Sequence, residues 1–550
     1  MKPISYLKYI LCLLSTVYFE YGLYAQNDVS QIDNTLSEKY IEGKPGATAL
    51  VYRKGTVIFR KGFGLANMEL NVPMQPENVF EIGSITKQFT AIAILMLEEQ
   101  GKLDITDDIT KFIPDYPTHG KSISIHHLLN HTSGIKSYTS MPSFMEKARV
   151  DMSPKELIDV FKNEPMDFDP GEQFLYNNSG YILLGHIIEV VTEDTYENFI
   201  QKNVFDPLGM ENSYYGSHKR IIANRAYGYQ KNGDTFVNAD YLSMTLPYAA
   251  GSLMSNVDDL LKWQLALNKY QLVSKESYEK AIHGSTLNNG EKIGYGYGLQ
   301  DGITQGSKSI SHGGGIFGYT TMGVYLPEED IFVSVLSNCN CNSPSDVAVK
   351  VAAIAMGKPF PTVKDAITLS ETQMEKWIGS YEFSDGAIRY VTMEQGKLYS
   401  QRGDGQKFEI FPLAPDHFIF EDGTISYMFS MIDGKKQATF TSGETFIGSE
   451  VNKMPPPEKA AIELPVEVLH QYIGKYELQP SFIIEVTVED DQIFAQATGQ
   501  PKIEIFAEKE DLFFLKVVSA QLIFQRAEDN KITSVTLLQG GQEMSGKKLE

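Results

Sequence analysis

The chain has 550 residues, more than the roughly 250–300 at which a single core stops growing, so several domains are expected. Its hydrophobic fraction of 42% and charged fraction of 21% are ordinary for a soluble globular protein. A formal net charge of −22 argues against nucleic acid and anionic membrane surfaces as partners, because both demand basic patches.

The first residues read MKPISYLKYILCLLSTVYFEYGLYAQND. Lys2 and Lys8 form a positive head, Tyr9 to Phe19 an apolar run, and LYA a small-residue cleavage site before Gln26. Residues 1–25 are therefore expected to be a signal peptide, with an uncleaved anchor as the alternative. The mature chain would then be periplasmic or secreted, and soluble. Cys12 lacks the small residue just before it that a lipid-anchor site wants.

Next, ATALVYRKGTVIFRKGFGLAN reads as a hairpin, with two β-branched and aromatic runs about a turn at Lys54-Gly55. From about Phe80 to Tyr270 the pattern is mostly helical. One helix is expected from Val79 to Leu103, a second from Ser179 to Val191, and a third from Asn256 to Leu267 with Asn256 as N-cap. Strand patterns return at Tyr319 and Ile331, and Val347 to Met356 reads as a closing helix. A sheet of first and last strands with helices between them is an α+β, mixed domain. Cys339 and Cys341 are two residues apart, a spacing that makes a strained bridge and a poor metal site, so disulfides are not expected to hold the chain together. No HExxH pattern or phosphate-binding glycine loop occurs, and no cofactor or metal is expected.

From about Pro359, short alternating strands replace long helical runs. WIGSYEF at Trp377 recurs as YIGKYEL at Tyr472, FEIF at Phe408 as IEIF at Ile503, and DHFIF at Asp416 as DLFFL at Asp511. All three pairs are offset by 95 residues, which marks a duplicated all-β module. NKMPPPEKAAIELP joins the copies as a proline-rich linker. Each copy has enough strands for a small closed barrel. Trp377, Tyr381, Tyr472 and Tyr476 are expected in the barrel cores.

Three segments carry chemistry. In VFEIGSITKQFTA, Ser84 and Lys87 stand one helical turn apart, so their side chains can meet. A serine hydroxyl needs a base, and a lysine becomes one when burial or other cations lower its pKa. A helix cap and a solvated lysine are the alternative. In FDPGEQFLYNNSGYILLG, Tyr176 and Asn178 precede a helix; a phenol can share proton transfer and an amide can orient a lysine. A buried aromatic and a cap are the alternative. In SISHGGGIFGY, His312 precedes Gly313, Gly314 and Gly315, whose backbone could approach a ligand closely and complete an oxyanion hole. A flexible turn with an incidental histidine is the alternative.

These segments, with LLNHTSGI at Leu128 and AAGSLMSNVDDLLKW at Ala249, resemble in order the serine β-lactamase and penicillin-binding-protein family, in particular its class C and D-alanyl-D-alanine carboxypeptidase branch. The resemblance spans residues 30–357. It implies that Ser84 forms an acyl-enzyme, that Lys87 and Tyr176 share the acid–base work, and that Asn178 positions Lys87 and substrate. His312 and Gly314 match the third motif, and the N–H groups of Ser84 and Gly315 would bind the oxyanion. True β-lactamases of this family usually carry lysine where His312 stands, a permanent cation for a substrate carboxylate, whereas histidine is mostly neutral above pH 7. A catalytic domain followed by two barrels, residues 366–453 and 462–550, resembles the D-aminopeptidase layout; other relatives carry one lipocalin-like module. The implied activity is an exported serine hydrolase of D-aminopeptidase, carboxypeptidase or β-lactamase-related type, acting on an ester or short peptide that could contain D-residues. An esterase, an acyltransferase or a non-turnover penicillin-binding sensor are the alternatives.

Overall fold

A computed structural model describes residues 28–549 except 142, 234, 458, 459, 480, 481, 499, 501, 519, 528, 540 and 541. The expected signal segment lies outside the described residues. The chain divides into two compact units, Met1–Pro359 and Phe360–Glu550.

The first unit is built on a six-stranded antiparallel sheet. Its order is Gln300–Thr304, Ser307–Ile316, Tyr319–Leu326, Ile331–Ser337, Ala47–Arg53, Thr56–Phe63. The N-terminal hairpin turns at Lys54 (φ 47°) and Gly55 (φ 87°), the two positive dihedrals that a two-residue hairpin loop requires. It joins the late strands where Ala47–Arg53 pairs with Ile331–Ser337. Helices cover both faces of this sheet, so its central strands are apolar on both sides: every residue of Ile331–Ser337 is buried. Ala47, Ala49, Val51, Val333 and Val335 face a core shared with Ile32, Leu36, Val347 and Val351 of the terminal helices. Leu50, Tyr52, Phe332 and Leu336 face the larger core of the helical region. Fold class is mixed α and β, as the order of strand and helix patterns implies.

Local elements follow the sequence closely where the signal is local. The helices are Asn178–Thr192, Val257–Asn268 and Ser345–Ala355, and the Asn256 side chain accepts the N–H of Asp259 as N-cap. One expectation is corrected. The segment from Val79 to Leu103 is not one helix: Phe80–Glu81 is a strand, Gly83–Ile85 a single 3-10 turn, and the helix is Thr86–Glu99. Gly83, at φ 53°, cannot continue a helix, and Ile85 rather than Ser84 occupies the N-cap position. Cys339 and Cys341 are disulfide-bonded, with Cα atoms 5.1 Å apart. The turn after Ile331–Ser337 brings them within bonding range, and the bridge joins no two elements.

The second unit holds two closed eight-stranded barrels, the first from Gly379–Phe383 to Glu444–Val451, the second from Gly474–Gln479 to Gln542–Lys548. Closure pairs every strand edge. Trp377, Tyr381, Tyr472 and Tyr476 are buried. The Tyr381 hydroxyl donates to the carbonyl of Trp377, and that of Tyr476 to the carbonyl of Tyr472, both at 2.7 Å, so the duplicated motif makes the same contact twice.

Candidate active site

Ser84, Lys87, Asn178 and Tyr176 meet between the edge of the sheet and the helical region. The single turn at Gly83–Ile85 and the helix Thr86–Glu99 hold Ser84 and Lys87 one turn apart. Asn178 opens the helix Asn178–Thr192, whose N-cap Asn177 accepts the N–H of Gly180.

Lys87 is wholly buried. Its Nζ lies 3.1 Å from Ser84 Oγ, 2.8 Å from Asn178 Oδ1 and 2.9 Å from the carbonyl oxygen of Ala250. The rings of Tyr176 and Tyr181 stand 4.8 and 5.4 Å from it. None of these three hydrogen-bond partners is a carboxylate. Burial without a counter-charge drives the lysine pKa well below its ordinary value. A neutral amine has two N–H donors and one lone pair. The carbonyls of Asn178 and Ala250 take the two donors, which leaves the lone pair for the Ser84 hydroxyl. Asn178 is held in that orientation because its Nδ2 donates to Thr139 Oγ1 at 2.9 Å.

Tyr176 stands beside the Lys87 amine and keeps 36% of its surface exposed; desolvation by the surrounding protein raises its pKa, so it remains a phenol. Ser84 therefore has a basic nitrogen and a phenol beside it. Tyr176 packs against the buried His131 ring at a tilt of 43°, with centroids 4.3 Å apart, and His131 Nδ1 accepts the N–H of Asn177 at 3.1 Å.

The glycine run lies in strand Ser307–Ile316. A Cβ on Gly314 would sit 2.0 Å from the carbonyl oxygen of Ile82, so only glycine lets this strand close onto the segment before Ser84. A Cβ on Gly83 would sit 2.9 Å from the nitrogen of Gly315. The two backbones thus touch, and Ser84 and Gly315 line one cavity. Thr321 Oγ1 adds a clamp by donating to the Ile82 carbonyl at 2.9 Å. His312 packs beside Tyr176, with ring centres 6.2 Å apart, and does not line this cavity. It is 3% exposed, its Nε2 pairs with the Tyr295 hydroxyl at 2.9 Å, and its Nδ1 with the Gly313 carbonyl at 2.6 Å. Burial pulls its pKa down to about 4, so its ring carries no charge at neutral pH.

The cavity beside Ser84 measures about 440 Å³. Tyr138, Phe144, Leu246 and Phe317 supply apolar wall, and Thr139, Asn178, Thr320 and Asn340 supply polar groups. Among the described residues that line it, none is charged.

Sequence reasoning missed several contributors. The Ala250 carbonyl is a backbone group with no side-chain signal, although it lies in the quoted AAGSLMS segment. Thr139 and Tyr295 act only through Asn178 and His312, at distances in sequence that no local pattern reports.

A serine beside a buried, uncompensated lysine and a tyrosine, on this sheet-and-helix scaffold, marks the β-lactamase-fold family of serine hydrolases. Residues 32–355 match the family described as Beta-lactamase, and the chain belongs to that family. Residues 458–548 match DUF3471, a domain of unknown function. Over 422 residues the chain is 31% identical to penicillin-binding protein 4* of Bacillus subtilis (strain 168), covering 72% of this chain and 92% of that protein. The octameric penicillin-binding protein homologue from Pyrococcus abyssi superposes with a TM-score of 0.55 at 29% identity, covering 77% of this chain and 99% of that one. A D-stereospecific amidohydrolase from Streptomyces sp., at 24% identity and a TM-score of 0.53 over 59% of this chain and 98% of its own, shares the fold.

Proposed function

We propose that the protein is an exported acyl-enzyme hydrolase that cleaves amide or ester bonds flanked by uncharged, largely apolar groups. The observation that carries this reading is the uncharged cavity beside Ser84. A carboxypeptidase or an efficient β-lactamase needs a cation for the substrate carboxylate. Here the position that resembles that cation is His312, neutral and engaged on both nitrogens.

The chemistry follows from the geometry. Lys87 Nζ takes the Ser84 proton as Oγ attacks the substrate carbonyl carbon. The N–H groups of Ser84 and Gly315 receive the developing oxyanion. The proton passes through the Tyr176 phenol to the leaving nitrogen or oxygen as its bond to the acyl carbon breaks. Water then attacks the acyl-Ser84 ester and gives a proton to Lys87, which returns it to Ser84 Oγ as the bond from Oγ to the acyl carbon breaks and the acid leaves. Lys87 and Tyr176 act as a coupled pair, so the proton belongs to the pair. Export rests on the sequence of residues 1–25.

A substrate panel tests the reading: short-chain nitrophenyl esters, neutral D-aminoacyl amides, D-Ala-D-Ala peptides and nitrocefin, with Ser84→Ala as control. Turnover of neutral esters or amides above that of the carboxylate-bearing substrates is expected. Preferential turnover of nitrocefin or D-Ala-D-Ala peptides would overturn the proposed specificity.

A further inference from the structure

The two barrels are copies, yet one end of each differs. A cavity of about 570 Å³ opens at the strand ends of the first barrel and is walled on one side by Val517 and Val518 of the second copy, while among the described residues the corresponding strands of the second barrel line a cavity of about 60 Å³. The walls correspond residue by residue at the 95-residue offset. Arg389, Ser400 and Arg402 in the first copy are Ile484, Ala495 and Ala497 in the second. Tyr427 is replaced by Leu522 in the same way. At these positions the second copy carries smaller aliphatic side chains, and the first carries polar and charged ones. A purely structural barrel gains nothing from an open end, because unfilled core volume forfeits packing.

The open cavity also carries a charge of defined sign. Arg389 is 5% exposed and donates from both terminal nitrogens to the two oxygens of Asp385, at 3.2 and 2.9 Å. Its guanidinium stands 4.6 Å from the ring centre of Phe383 and 4.2 Å from that of Phe440. Arg402, with its side chain 68% exposed, reaches the same carboxylate at 3.6 Å. Two guanidiniums therefore share one carboxylate, and these three are the charged residues of the lining, leaving one net positive charge on a protein of net −22. Ser400 and Tyr427 hydroxyls, 2.8 Å apart, line the same space, as do the rings of Phe420 and Phe440.

We propose that the first barrel binds a small organic anion, a carboxylate or sulfonate on an aromatic or aliphatic body. The anion lies at Arg402 with Arg389 behind it, and the body lies against Phe420 and Phe440. The volume falls within the roughly 300–1,000 Å³ of small-molecule sites, which pair apolar walls with a few polar anchors. Arg402 can turn to the ligand without breaking the Arg389–Asp385 pair.

The test is a fluorescence titration of the full-length protein with 8-anilinonaphthalene-1-sulfonate, beside N-phenyl-1-naphthylamine, which keeps the aromatic frame and lacks the sulfonate. Saturable binding of the sulfonate is expected. Arg402→Ala should weaken it by at least about 5-fold and Arg402→Glu by more, as losing or reversing a charge partner predicts. The neutral probe should be unaffected, as should thermal unfolding, because Arg402 is exposed. Unchanged sulfonate affinity in both variants overturns the site. Equal losses for the neutral probe overturn the anion assignment.

Discussion

Two buried cations distinguish the two units. Lys87 and Arg389 are both nearly sealed from solvent, yet they are put to opposite uses. Lys87 meets a hydroxyl, an amide oxygen and a backbone carbonyl, none of them charged. Arg389 meets a carboxylate through two hydrogen bonds and lies over aromatic rings. A lysine amine can shed its proton when burial is uncompensated, and a guanidinium cannot. The first therefore becomes a base and the second a fixed charge. Burial alone does not make a catalytic group; the missing counter-charge does.

Five measurements would break or sharpen that contrast, taken from the largest expected effect downward. Ser84→Ala should abolish covalent labelling by a fluorophosphonate while leaving thermal unfolding nearly unchanged; persistent labelling removes Ser84 as nucleophile. Arg389→Met should leave Asp385 with only the exposed Arg402 as partner and cost about 2–3 kcal/mol in the unfolding of the barrel unit, without changing the acylation rate. A variant as stable as the parent in urea would show that Asp385 does not depend on Arg389 for its charge partner.

His312 gives a pH test of buried neutral bases. Its folded pKa of about 4 lies below the ordinary 6.5 because burial disfavours the charged ring. Between those values the unfolded chain takes up a proton that the folded chain refuses. Its contribution is therefore fully present above pH 6.5 and is lost as pH falls toward 4, a total of roughly 3 kcal/mol. In His312→Gln the slope of unfolding free energy over that interval should flatten; an unaltered slope would show that this ring is not the group concerned.

Lys87→Arg should lower acylation by at least about 100-fold, since the guanidinium stays protonated and cannot receive the serine proton. Near-normal acylation would take Lys87 out of the base role. Asn178→Asp is the mildest and most diagnostic change. It supplies the carboxylate that Lys87 lacks, so the lysine pKa should rise and the acid limb of the acylation pH profile should move upward by about one unit or more. An unmoved profile would disconnect Lys87 titration from the rate.

What was legible in the sequence depended on how local its cause is. The turn at Lys54-Gly55, the Asn256 cap and the Asn178–Thr192 helix each depend on a few neighbouring residues. The segment at Val79 misled because an apolar run of short period reads equally as buried strand or helix, and the break rests on one glycine dihedral at Gly83. The cysteine pair is bonded across the turn that follows Ile331–Ser337, a local bridge that ties no two elements together, as its spacing implies.

The sequence by itself determined the family pattern, the duplicated modules and the residue types at Ser84, Lys87, Tyr176 and Asn178. These are written in local spacing and in a constant offset. Only the tertiary structure decided that Lys87 is starved of a carboxylate, that His312 is neutral and turned onto Tyr295, and that the cavity at one barrel is larger and carries charge where that of its copy is small and aliphatic. Each of these is a property of what surrounds a group in space. Desolvation, charge pairing and packing are set by segments far apart in the chain, and no local pattern carries that information.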